Sequence, residues 1–214
     1  MKVAVLAMAI VGASVGLSGA EAAGMPEGGK LDFIVFRKGE VIGENVLQFQ
    51  DEGNRMRVDI STDVVVKFAF VPVYRFHHRS HEVWESGHLA SLESQTDDDG
   101  KQHVLDIHAE GGHLAVLADG KPSDAASNIV PASLWNEQIV ASNVILNTLT
   151  GRQMNVLVTD IGIEPVLVGG TVHPAHHYAI NGDLQREVWF DAKGMLVQVQ
   201  FKGDDGSEIT YRLR

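Results

Sequence analysis

Arg55-Met56-Arg57-Val58-Asp59-Ile60-Ser61 alternates residue by residue, with Met56, Val58 and Ile60 on one side and charged or small polar residues on the other. Successive side chains of a strand point to opposite faces, so this pattern sets one face on a core and leaves the other in water. The same period recurs near the end of the chain. Val197, Val199 and Phe201 alternate with Gln198, Gln200 and Lys202, and Ile209, Tyr211 and Leu213 with Thr210, Arg212 and Arg214. Between such runs sit turn signals: Lys38-Gly39, Asp51-Glu52-Gly53-Asn54, Asp99-Gly100, Gly111-Gly112, Asn181-Gly182, Lys193-Gly194 and Asp205-Gly206. Gly and Asn tolerate the positive φ that tight hairpins need. The spacing predicts an all-β protein, a curved antiparallel meander of about ten strands forming a partly open barrel or half-barrel.

One stretch breaks the rhythm. Residues 119–147 are rich in Pro, Ser and Asn, with Pro131 suited to open a short helix over 131–141 and Leu134, Trp135, Gln138 and Ile139 at helical spacing. Its apolar residues mark it as a crossover joining two hairpin-rich halves of a single domain, 23–214, with Trp135 packed under the sheet. The halves share a short pattern, Glu82-Val83-Trp84 and Glu187-Val188-Trp189, each followed by a glycine turn, which ordinary hairpin chemistry explains.

The N-terminus carries a different message. Lys2 precedes an apolar run from Val3 to Leu17, and Ala20-Glu21-Ala22 supplies the small-x-small pattern of a signal peptidase site, so residues 1–22 read as a cleavable signal peptide. The run is shorter than the roughly 20 residues a spanning helix needs, and no later stretch is apolar enough to cross a membrane. The expected product is periplasmic or secreted, with no integral membrane segment. With 28 Asp+Glu against 17 Lys+Arg the net charge is −11, which argues against nucleic acid as a partner. The absence of Cys excludes disulfides, thiolate metal sites and a Cys nucleophile.

Several segments then align with a known family. They are Leu31 to Gly43, Val73-Tyr74-Arg75-Phe76 with Glu82-Val83-Trp84, Pro131-Ala132-Ser133-Leu134-Trp135, Leu149-Thr150-Gly151-Arg152, and Glu187-Val188-Trp189-Phe190-Asp191. In content and order they resemble the domain-of-unknown-function 6134 family of exported bacterial proteins. The resemblance implies a fold and a compartment, and it brings no activity or catalytic residue.

Ten histidines in a chain without Cys invite a metal reading. On a strand, His77, Arg79 and His81 share a face; if that strand met the one bearing His176, three imidazoles would form a ligand set for Zn or Cu. Arg79 opposes a cation there, and no His-Glu-x-x-His motif is present, so a histidine face used for hydrogen bonding is the simpler expectation and no cofactor is expected. Ser80 and His81 are adjacent on a strand and point apart, which prevents a nucleophile–base pair. Glu82 and Glu187 become paired carboxylates only if the two echoing hairpins pack together. Asp97-Asp98-Asp99-Gly100 and Gly203-Asp204-Asp205-Gly206 lack calcium-loop spacing and read as solvated turns.

The run Val64 to Tyr74 is apolar on both faces of a strand and demands cover twice. The cover could come from the crossover with Trp135, a second subunit or an apolar ligand. The leading expectation is a binding or carrier protein whose curved sheet wraps an apolar groove, with Phe68, Phe70, Tyr74, Trp84, Trp135 and Trp189 lining the groove or the core beside it and taking a small apolar or lipid-like ligand. Two other classes stay open. One is a metal- or carboxylate-dependent periplasmic enzyme using His77, His81, His176 and Glu82; the other is an envelope scaffold that pairs through its sheet edge. The sequence sets no oligomeric state. Export predicts a mature chain beginning at Ala23, which N-terminal sequencing of protein recovered from a bacterial periplasm checks; an intact Met1 terminus there contradicts cleavage.

Overall fold

The computed structural model describes residues 25, 26 and 28–214, so the segment read as a signal peptide lies outside the described residues. Fifteen strands form one sheet. In chain order the first eight are β1 (Lys30–Arg37), β2 (Glu40–Asp51), β3 (Arg55–Phe68), β4 (Val71–Glu85), β5 (His88–Asp98), β6 (Lys101–Glu110), β7 (His113–Ala118) and β8 (Lys121–Ala126). They make an unbroken antiparallel meander. After the crossover come β9 (Val130–Pro131), β10 (Val144–Leu146), β11 (Gln153–Val168), β12 (Thr171–Gly182), β13 (Arg186–Phe190), β14 (Leu196–Lys202) and β15 (Glu208–Leu213). The first strand pairs with the last, Phe33 opposite Leu213 and Arg37 opposite Ile209, so the two halves fan out from the β1–β15 seam. Strands β8 and β9 stand at the two ends of the order, and the sheet is open rather than closed into a barrel.

Seven hairpins turn through two residues that both have positive φ, the conformation whose twist matches that of the flanking strands. One of them, Ala69-Phe70, corrects the reading of Val64 to Tyr74 as a single strand. The chain reverses at Ala69-Phe70, so the doubly apolar run is the two arms of the β3–β4 hairpin rather than one strand covered twice. No Gly, Asn or Asp marks that turn, which is why the pattern concealed it. The crossover differs from expectation in detail. Val130–Pro131 pairs in parallel with Ile145 and Leu146, and the only helical turn among the described residues is a 3-10 helix at Glu137–Ala141. Asn136 caps it, its side-chain oxygen accepting from the Gln138 backbone N–H at 3.0 Å.

One main core collects the inward face of both halves: Leu31, Phe33, Leu47, Val58, Leu92 and Ile107 from the first, Met154, Ile180, Val188 and Phe190 from the second. The crossover fills the space between them. Trp135 is 1% exposed and packs edge-on against Phe49 at 5.3 Å and Trp84 at 5.4 Å. Ser94 donates to the Thr148 carbonyl at 2.6 Å, which ties the end of the crossover to β5. Gly151 packs so closely on β6 and β7 that a Cβ would lie 2.7 Å from Val116 and 2.9 Å from Leu105. A smaller core of Val166, Ala175, Trp189 and Val197 forms separately, where the β11–β12 hairpin lies against Leu213.

Trp135 is therefore the plug of the main core. Trp135→Ala is expected to lower unfolding free energy by about 3–5 kcal/mol in urea titrations, as for other buried Trp truncations. A loss below about 1 kcal/mol contradicts this packing role.

Candidate functional site

The strand register places the solvent-facing residues of β2 to β6 in straight rows. One row runs Gln48, Asp59, His81, Glu93, Asp106, and the next Val46, Ser61, Arg79, Gln95, Val104. These ten residues line a trough of about 550 Å³. A third row, Glu44, Asp63, His77, Asp97 and Gln102, continues the same face. Each row places its histidine or arginine on β4, and carboxylates stand on both sides of each histidine. His81 Nδ1 lies 2.6 Å from Asp59 Oδ1, and His77 Nδ1 lies 2.7 Å from Asp63 Oδ1. Arg79 donates to the other Asp63 oxygen at 2.8 Å. Burial alone would push the Asp63 carboxyl up, but hydrogen bonds and charge from His77 and Arg79 outweigh it and hold it below its ordinary value.

The histidines proposed as a metal set are not assembled. His77 and His81 sit on β4, while His176 sits on β12, with six strands between them in the sheet order. His176 Nε2 instead meets Asp160 at 2.8 Å and its Nδ1 accepts from the Tyr178 hydroxyl at 3.0 Å. Among the described residues no three His, Asp or Glu side chains are arranged to hold a metal ion. Ser80 and His81 lie on opposite faces, Ser80 buried and His81 in the trough.

The six aromatic residues expected to line a groove or the core beside it fall into four places. Trp84 and Trp135 belong to the main core, and Trp189 to the small one, stacked on His177 with ring centres 4.1 Å apart. Tyr74 donates its hydroxyl to Asp98 at 2.8 Å, where burial first and that carboxylate second push its pKa up. Phe68 and Phe70 project from the tip of the β3–β4 hairpin, 76% and 96% exposed. What separates them is the fold of the apolar run into a hairpin and the filling of the interior by the crossover.

Sequence reasoning did not find the most unusual buried group in its actual setting. Glu82 is fully buried, and its Oε2 accepts from the indole N–H of Trp84 at 2.9 Å and of Trp135 at 3.0 Å. Its Oε1 and the Ser133 hydroxyl lack hydrogen-bond partners among the described residues. Burial pushes the Glu82 carboxyl up, offset in part by the two indoles and by the nearby Ser133 hydroxyl. Glu187 does not pair with it, lying half-exposed 3.6 Å from His177. Four residues before Glu82, His78 is buried with Nδ1 2.8 Å from Thr96 Oγ1; burial first, then the Arg79 charge, lowers it to about 4.

Geometry and composition thus define an all-β protein with a filled interior and a polar, acid-rich trough on the outer face of an open sheet. The chain belongs to the family described as Domain of unknown function (DUF6134), whose profile matches residues 33–214. A search of curated proteins finds none that matches the chain. No helix among the described residues is long and apolar enough to cross a membrane.

The two buried groups on β4 give opposite pH limbs. Unfolded His78 takes up a proton near 6.5 while the folded residue resists it down to about 4, so stability is lost as pH falls through that window, by up to about 3 kcal/mol. Glu82 holds its proton more tightly folded than unfolded, so its contribution is lost as pH rises from its ordinary value through the raised one. Urea midpoints across pH 4–8 check this: His78→Gln is expected to flatten the acid limb and Glu82→Gln the opposing one. An unchanged profile in either variant contradicts that group's assignment.

Proposed function

We propose that this is an exported binding protein whose ligand is a small, polar, positively charged molecule seated in the trough across β2 to β6. The observation that carries the reading is the row Gln48, Asp59, His81, Glu93, Asp106, three carboxylates around one imidazole in a space of about 550 Å³. That volume falls within the usual range of small-molecule sites. Asp59, Glu93 and Asp106 bring three carboxylates to the row, and Arg79 in the adjoining row is the guanidinium that opposes them. The overall charge of −11 adds a field that draws cations toward it. Val46 and Val104 at the trough's two sides suit a ligand with a short apolar stem. An apolar or lipid-like cargo inside the sheet has less support, because the crossover occupies the interior with Trp135 and Ile139. Export rests on the pattern of residues 1–22.

Isothermal calorimetry with spermidine as probe tests the site. Glu93→Gln combined with Asp106→Asn is expected to weaken binding about threefold to tenfold, while Asp204→Asn with Glu208→Gln, the same charge removed at the β14–β15 turn, leaves it unchanged. Equal weakening by both pairs reduces the effect to net charge and contradicts a trough site.

A further inference from the structure

The β3–β4 hairpin breaks a rule that the rest of the molecule keeps. Of the seven two-residue turns with positive φ among the described residues, six place glycine second: Gly39, Gly87, Gly100, Gly112, Gly120 and Gly170. The seventh has Phe70 there, at φ 70°, after Ala69 at φ 48°. A side chain with a Cβ is strained in this region, and a bulky one more so than most. Folding gains nothing in return, because Phe70 is 96% exposed and touches no core. Phe68, Val71 and Val73 are exposed beside it. A strained backbone presenting an exposed aromatic ring at the apex of a long hairpin points to contact with something outside the fold.

From this geometry we infer that the β3–β4 tip inserts Phe70, with Phe68 and Val71, into the surface of an anionic lipid bilayer. The tip is a convex point formed by a few side chains, far short of the roughly 1,000 Å² that a specific protein interface needs, whereas wedging an aromatic ring among lipid headgroups requires no matching surface. Its charge fits as well. In a molecule of net charge −11, the only charged residues from Val64 to Arg75 are Lys67 and Arg75, both exposed cations. The acids of the neighbouring strand and turn, Asp98 and Asp99, lie level with Phe76 and Arg75 rather than with the apex, held there by the Tyr74 hydroxyl and the Arg75 backbone N–H. Apolar insertion and flanking cations act together at lipid surfaces, and either alone is weak. This inference stands apart from the trough, which lies in the middle of the same strands.

Co-sedimentation with vesicles tests it, comparing phosphatidylcholine alone with an equimolar mixture of phosphatidylcholine and phosphatidylglycerol. The protein is expected to pellet with the mixed vesicles, and Phe70→Gly to reduce the bound fraction about tenfold while its melting temperature stays level or rises, since glycine relieves the turn. Lys67→Glu with Arg75→Glu is expected to abolish the preference for the anionic mixture. Failure of the native protein to pellet, or retention by Phe70→Gly equal to native, overturns the inference. Self-association that Phe70→Gly abolishes, without vesicle binding, assigns the tip to a second copy of the chain and overturns it too.

Discussion

A single buried carboxylate organises this molecule. Glu82 projects from β4 into the main core and accepts from two indole N–H groups, one on its own strand and one on the crossover. An unpaired polar group in such a place is expensive, so the two indoles and the carboxylate constrain one another. Trp135 has to reach Glu82 with its N–H while its rings pack on Trp84 and Phe49, and few placements satisfy both demands. The crossover is thereby pinned against the inner face of the sheet. Around it the two halves of the sheet share one core without a ladder joining β8 to β9.

This constraint has a consequence for function. Many curved sheets keep a hollow for a ligand on their concave side, but here the chain's own middle segment takes that place. The trough lies outward, among the rows of polar side chains that alternate with the core residues on β2 to β6. Because a strand's two faces are offset by one residue, the same register that buries Val58, Ile60 and Leu92 sets Asp59, His81 and Glu93 in line. The fold and the trough are two faces of one pattern.

The sequence made the strands legible wherever alternation was strict, as in Arg55 to Ser61, and it located the crossover through its Pro, Ser and Asn content. What it left hidden has physical causes. Ala69-Phe70 turns the chain with residues that carry no turn signal. Glu82-Val83-Trp84 and Glu187-Val188-Trp189 look alike but sit in opposite senses: Trp84 enters the main core beside Glu82, while Trp189 packs on the other face against His177. A tripeptide says nothing about which face it presents; that depends on register with strands far away in sequence. The trough was invisible for the same reason. Asp59, His81, Glu93 and Asp106 come from four strands, and only the pairing aligns them.

On the proposed reading the interior is closed and a ligand binds outside it. The three tryptophans offer a direct reading, since two of their indole N–H groups are fixed on Glu82 and the third lies on Glu164. Titrating spermidine into isotopically labelled protein and following its amide and indole resonances is the most direct test. The account predicts shifts at Asp59, His81, Glu93 and their row neighbours, with the Trp84 and Trp135 indole signals unmoved. Displacement of those two indole signals, with the outer rows silent, would place the ligand in the core and contradict it.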